Sequence, residues 1–144
     1  MSSEDENPSL AQFDFWLGEW ECAWEGGSGS NRVSKILDGW VIQEEFDGRP
    51  GLALQGRSLS IYDGGIGKWR QTWVDNDGGY LDLTGEFSDG EMRLFTQREV
   101  QGRTVYLRMI FADIRPDSFN WRWESSPDGV EWQTRWAIRY TRKK

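Results

Sequence analysis

Glu44 is the residue of this sequence that is best placed for acid–base chemistry. It lies in the stretch WVIQEEF, residues 40–46, where Trp40 and Phe46 have the same parity along an alternating run. A carboxylate among apolar side chains must be paired, or its pKa rises. Glu44 is therefore a candidate general acid or base, or a polar anchor for a ligand. A structural ion pair with an arginine such as Arg57, or a position at a rim, explains the same pattern without chemistry.

Gln71 is the second polar residue that the alternation places on an apolar face, between Trp69 and Trp73. A buried amide needs hydrogen-bond partners. Either the polar group of a ligand or side chains of the preceding strand supply them. Those side chains are Ser58, Ser60 and Tyr62. In a binding site, we expect Glu44, Gln71, Tyr62 and Ser58 to orient the bound molecule.

The sequence contains ten tryptophans, far more than a chain of this size normally carries. The alternation predicts that seven of them wall a cavity for a flat or apolar small molecule. These are Trp24, Trp69, Trp73, Trp121, Trp123, Trp132 and Trp136. The alternative is that the rings simply fill the interior, where each stabilises the fold by about 2 kcal/mol without any ligand.

Several classes of chemistry are disfavoured by the residues that are absent. The sequence has no histidine, which removes Ser-His and Cys-His nucleophile systems and the usual zinc sites. Its single cysteine, Cys22, allows no internal disulfide, and we expect it to be a small buried hydrophobic residue. Asp75 and Asp77 lie in a stretch that lacks the other ligands of a calcium loop. We therefore expect no metal and no cofactor.

Charge and hydropathy limit the classes of partner that we expect for this protein. The net charge of −7 disfavours nucleic acid, because phosphate contacts need a basic face. No basic-then-apolar leader and no apolar run of membrane length is present, so we expect no membrane partner and a cytoplasmic location.

The elements that carry these residues are predicted to be short antiparallel strands. Asp-Gly, a strong hairpin signal, occurs six times, and apolar and polar residues alternate between the turns. Closing about ten such strands into an up-and-down barrel removes the exposed edges. Residues 57–63 are ambiguous, since either Leu59 and Ile61 or Ser58, Ser60 and Tyr62 face inward.

Only residues 10–17 have helical spacing, through Leu10, Phe13 and Leu17. We expect this short N-terminal helix to plug one end of the barrel. The sequence thus predicts a disordered tail over residues 1–9 and a single all-β barrel domain over residues 10–144.

The opening segment resembles a known superfamily. A short helix followed by Gly18-Glu19-Trp20 at the start of the first strand is similar to the lipocalin and fatty-acid-binding barrels. The resemblance implies that Trp20 packs at the closed end against an arginine of the last strand. Strand parity makes Arg142 the first candidate for that arginine and Arg139 the second.

A longer pattern resembles a bacterial lipocalin-like (calycin-type) family of unknown function. Its matching pieces are FDFWLGEW, GRSLSIYD, GKWRQTWVD and SSPDGVEW, spread over nearly the whole chain. This resemblance implies a barrel but no activity. Some small haem-binding barrels also begin with Trp-Leu-Gly-x-Trp, but they bind iron through a histidine. Here only Tyr62 or Cys22 could replace that ligand.

Three hypotheses of function follow. The first is binding of a small apolar or aromatic ligand without chemistry. The second is a barrel enzyme of the isomerase or cyclase type that uses Glu44 as acid or base. The third is a packed barrel that acts as an interaction module or homodimer.

Overall fold

A computed structural model describes residues 7–144 as a closed barrel of ten antiparallel strands, joined by hairpins in up-and-down order. The strands are β1 (Gly18–Trp24), β2 (Gly27–Ile36), β3 (Val41–Asp47), β4 (Gln55–Asp63), β5 (Lys68–Asp75), β6 (Tyr80–Ser88), β7 (Glu91–Val100), β8 (Arg103–Arg115), β9 (Ser118–Ser126) and β10 (Gln133–Arg142). The last strand pairs with the first, which closes the barrel. The predicted all-β, ten-stranded architecture is confirmed.

Most hairpins form where Asp-Gly predicts a tight turn, but β3 and β4 are joined by the longer stretch of residues 48–54. In the β6–β7 turn, Asp89 and Gly90 both have positive φ, at 52° and 77°. A two-residue turn of this kind matches the twist of the flanking strands and favours Asp-Gly. Along each strand, side chains then alternate between the interior and the outer face, so the apolar residues of the chain are gathered inside.

The predicted short N-terminal helix is present and consists of two consecutive 3-10 helices, Pro8–Ala11 and Asp14–Trp16. Phe13 and Trp16 are fully buried, and both pack against Phe111 of β8 with ring centroids 5.1 and 5.2 Å apart. The segment therefore fills the end of the barrel where β1 begins. Residues 1–6 of the predicted tail lie outside the described residues, and the first helix begins at Pro8, two residues before the predicted start.

The contact that the resemblance implied at the closed end is present. Trp20 lies opposite Arg142 in the β1–β10 register, and the guanidinium carbon lies 4.3 Å from the indole centroid. Arg142 Nη1 also donates to the carbonyl of Leu17 at 2.7 Å. Arg139, the second candidate, instead bonds Asn120 and Ser118 on the outer face. The arginine thus ties the last strand to the N-terminal segment.

The inward face of residues 57–63, which the sequence did not determine, is the polar one. Ser58 and Ser60 are buried inside the barrel, whereas Leu59 and Ile61 are 49% and 41% exposed outside. In the register, Ser58 lies beside Glu44 and Ser60 beside Gln71. The serines therefore face inward because the neighbouring strands need hydrogen-bond partners there.

Two tryptophans depart from the predicted parity. The β9–β10 register shifts between Thr134 and Trp136, and this irregularity leaves Trp132 on the outer face. There its ring lies under Arg108, with the guanidinium carbon 4.0 Å from the centroid. Trp40 lies in the β2–β3 turn and is 46% exposed. The expectation that Trp132 lines the interior is therefore wrong.

Candidate functional site

The barrel interior is divided into a packed end and an open end. At the packed end, aromatic rings stack closely, as between Phe119 and Tyr140, whose centroids are 4.3 Å apart. Toward the other end, where the β5–β6 turn lies, a cavity of about 580 Å³ remains. Trp16 forms part of its lining, so the N-terminal segment supplies a floor. A ten-stranded barrel is wide enough that side chains do not fill it completely.

Aromatic rings dominate the cavity wall. In addition to Trp16, Tyr80 and Tyr140, they are Phe46, Trp73, Phe111, Trp121, Trp123 and Trp136. Trp136 is at the centre of this wall: Trp121 lies 5.6 Å from it and Trp24 5.3 Å, both edge to face. Edge-to-face packing holds the rings in fixed orientations, so the wall is a preformed apolar surface.

The position of Trp73 depends on a glycine in the adjacent strand β4. A Cβ atom at Gly56 would overlap the six-membered ring of Trp73, so only glycine lets the indole lie flat against β4. The indole N–H donates to Asp75 Oδ2 at 2.8 Å. These two contacts fix the ring beside the mouth of the cavity, which we define by Asp75, Tyr80 and Arg98.

Asp75 is held in its charged form at this mouth. Partial desolvation raises the pKa of the carboxyl, but hydrogen bonds from Trp73 Nε1 and from the backbone of Gly79 and Asp77 bring it below its usual value. The backbone N–H groups of Asp77 and Gly79 both donate to Oδ1, at 2.9 and 2.8 Å. Both carboxylate oxygens are therefore already engaged.

Glu44 lies on the inner face of β3 and lines the cavity. Ser58 Oγ donates to Oε1 and Asn31 Nδ2 to Oε2, both at 2.7 Å. Asn31 Nδ2 also lies 2.9 Å from the hydroxyl of Tyr140, another lining residue. Burial raises the pKa of Glu44, and the two hydrogen bonds oppose that rise only in part. The carboxyl thus keeps a proton more readily than an exposed glutamate does, and it lies within a cluster of neutral polar side chains.

The ion-pair explanation for Glu44 is not supported by the geometry. Arg57 lies on the outer face of β4, where its Nε is 3.9 Å from the carboxylate of Glu45. The partners of Glu44 are the neutral side chains of Asn31 and Ser58. The sequence did not single out Asn31, because β2 has little apolar alternation that would mark its inner face.

Gln71 and Cys22 lie deeper and do not line the cavity. Gln71 Nε2 donates to Ser60 Oγ at 3.0 Å, while its Oε1 has no hydrogen-bond partner among residues 7–144. Burial raises the pKa of Cys22 to about 12, so the thiol stays protonated and is no nucleophile. The expectation of a small buried hydrophobe describes Cys22 well.

The predicted binding residues divide into three groups. Five of them line the cavity: Glu44, Trp73, Trp121, Trp123 and Trp136. Trp24 and Ser58 lie behind that lining and support it through Trp136 and Glu44. Trp69, Tyr62 and Gln71 lie farther toward the packed end, where Trp69 packs edge to face against Phe13 at 5.3 Å.

No protein-family model matches the chain, and no curated protein matches its sequence. The closed antiparallel barrel is consistent with a calycin-like fold. Within residues 7–144, no group of three or more acidic or cysteine side chains has the arrangement of a metal site. The same residues include no helix long and apolar enough to cross a bilayer.

A gap between β6 and β7 opens beside the mouth. The two strands pair only from Thr84 to Ser88 with Glu91 to Phe95. Beyond Thr84, residues 80–83 pair with β5, and residues 96–100 pair with β8. Leu81 and Arg98, from the two unpaired edges, both line the cavity. Sequence alternation could not reveal this gap, because it does not report which strand ends separate.

Proposed function

We propose that this protein is a lipocalin-like barrel that binds one small, largely apolar or aromatic molecule in the cavity. The observation that carries the proposal is the aromatic-walled cavity of about 580 Å³. Small-molecule sites usually have roughly 300–1,000 Å³ and an apolar lining with a few fixed polar groups. The cavity favours ligand binding over a packed interaction module, which needs a filled interior.

Two polar groups in the lining would orient the ligand. Glu44 and Tyr140 present a carboxyl and a hydroxyl near one another. The ligand class is thus an apolar body with one or two hydrogen-bonding atoms.

The test is a tryptophan-fluorescence titration with fatty acids, retinoids and flat aromatic compounds. Leu81→Trp adds an indole at the cavity, whereas Leu59→Trp makes the same change on the outer face. We expect Leu81→Trp to weaken binding at least about tenfold by occupying the space, and Leu59→Trp to leave it unchanged. Binding that is equal in the two variants, or absent from the folded wild type for every compound, would refute the proposal.

A second candidate function is supported by the environment of Glu44. A buried carboxyl with a raised pKa at the wall of an apolar cavity is suited to general acid catalysis. Any compound that binds can be incubated with wild type and with Glu44→Gln, and the products analysed by mass spectrometry. Catalysis predicts conversion by wild type and none by the variant at unchanged affinity. An unchanged compound in both samples leaves simple binding as the function.

A further inference from the structure

Arg98 is placed differently from the other arginines of the barrel. It shares its parity on β7 with Met92 and Leu94, which are fully buried inside. It lies at the stretch where β7 has separated from β6, and it lines the cavity. The guanidinium group is therefore available to the cavity and to solvent at the same time.

The neighbouring charges leave Arg98 without a counter-ion. Among residues 7–144, no carboxylate lies within 4.0 Å of it, whereas Arg93 and Arg108 on the same or the adjacent strand each have one. Asp75, the acid at the mouth, already accepts hydrogen bonds at both oxygens. The cationic group at the mouth is thus free to bind an anion.

The rest of the described lining has no cation. Apart from Arg98, its charged or ionisable side chains are Asp75, Glu44 and the two tyrosines, Tyr80 and Tyr140. An anion deep in the cavity would be desolvated without compensation, which is strongly unfavourable. A ligand with an acidic group must therefore lie with that group at Arg98 and with its apolar body inside.

We propose that the natural ligand carries one anionic group, such as a carboxylate or sulfonate, and that Arg98 binds this group at the gap between β6 and β7. The inference rests on the proposed binding function and specifies its ligand as an amphipathic anion. A guanidinium forms paired hydrogen bonds with a carboxylate or sulfonate. Arg98 would then determine specificity without contributing to the apolar affinity.

Two fluorescent probes that differ only in charge test this inference. 1-Anilinonaphthalene-8-sulfonate has a sulfonate, and N-phenyl-1-naphthylamine has the same aromatic body without it. Both are titrated into wild type, Arg98→Gln, Arg98→Lys and Arg115→Gln. Arg115 lies at the end of β8 that is far from the mouth. Arg115→Gln therefore makes the same change in net charge at a distant position. Near-ultraviolet circular dichroism verifies that each variant is folded.

We expect Arg98→Gln to weaken binding of the sulfonate probe about five- to tenfold, since the ion pair is partly exposed. Arg98→Lys, which keeps the charge, should lose at most about threefold. The neutral probe should bind all four proteins with equal affinity. The sulfonate probe should bind wild type and Arg115→Gln with equal affinity. Added salt should weaken binding of the sulfonate probe to wild type but not to Arg98→Gln.

The possible failures are distinguishable. If both probes bind wild type and Arg98→Gln with unchanged affinities, Arg98 binds no anion and only this inference is wrong. The same holds if Arg115→Gln loses as much affinity as Arg98→Gln, because the effect is then one of net charge. If neither probe binds the folded wild type, the proposed function fails as well.

Discussion

Replacing Glu44 by glutamine tests whether its buried carboxyl is protonated in the folded protein. The amide oxygen can accept from Asn31 Nδ2 as Oε2 does, and the amide nitrogen can donate to Ser58 Oγ, whose hydroxyl rotates to accept. Both hydrogen bonds therefore persist in Glu44→Gln. What the substitution removes is the ability to ionise.

The sign and size of the effect follow from the pKa. Burial raises the pKa of Glu44 above its ordinary value of 4.5, so between the two pKa values the folded state binds a proton that the unfolded state has lost. The wild type then loses about 1.4 kcal/mol of unfolding free energy per pH unit as pH rises through this window. Glu44→Gln has no such loss. Below both pKa values the two proteins should agree within about 1 kcal/mol.

The measurement is urea unfolding of both proteins between about pH 4 and pH 8. Glu45→Gln is the matched control, since Glu45 is the next residue on the outer face and its nearest basic partner, Arg57, lies 3.9 Å away. Its stability difference from wild type should change by less than about 0.5 kcal/mol over the range. A difference between Glu44→Gln and wild type that is constant with pH, or that shifts in favour of the wild type, would refute the assignment of a raised pKa.

Two further substitutions test the contacts that frame the barrel. Arg142→Gln removes the guanidinium over Trp20 and should lower the unfolding free energy by about 1–3 kcal/mol in urea titrations, whereas an unchanged value would make this contact incidental. Gly56→Ala should displace the ring of Trp73, cost about 1–3 kcal/mol and weaken ligand binding. Gly64→Ala, where an added Cβ meets no atom, is its control, and equal stability of the two alanine variants would contradict the packing argument.

Much of the interior was predictable because alternation is strong on most strands. Trp121 and Trp123 on β9 and Gln71 on β5 have apolar neighbours of the same parity, so their inward orientation follows from the strand period. Glu44 could be singled out for the same reason. The polar face of β4 was not predictable from that strand alone, since its orientation depends on Glu44 and Gln71 of the neighbouring strands.

The errors and omissions arise where periodicity fails. One irregularity between Thr134 and Trp136 leaves Trp132, just before β10, on the outer face, and alternation carries no information about such a shift. Asn31 has a single apolar neighbour of the same parity, Val33, and Arg98 lies in the polar run of residues 96–99 beyond Leu94, so neither residue stands out in the sequence. The volume of the cavity depends on how ring sizes sum around the barrel, which no single strand determines.

The separation of β6 from β7 has a consequence for association with other polypeptides. Two neighbouring strand edges there lack their ladder partner, and such edges are templates for adding a foreign strand. The stretch on β7 reads Gln97-Arg98-Glu99, and β6 contributes Asp82, so both edges carry charged side chains. Charge along an edge discourages intermolecular β-pairing. We therefore expect that neutralising these positions together promotes self-assembly at the gap between β6 and β7 before it occurs at any other part of the barrel.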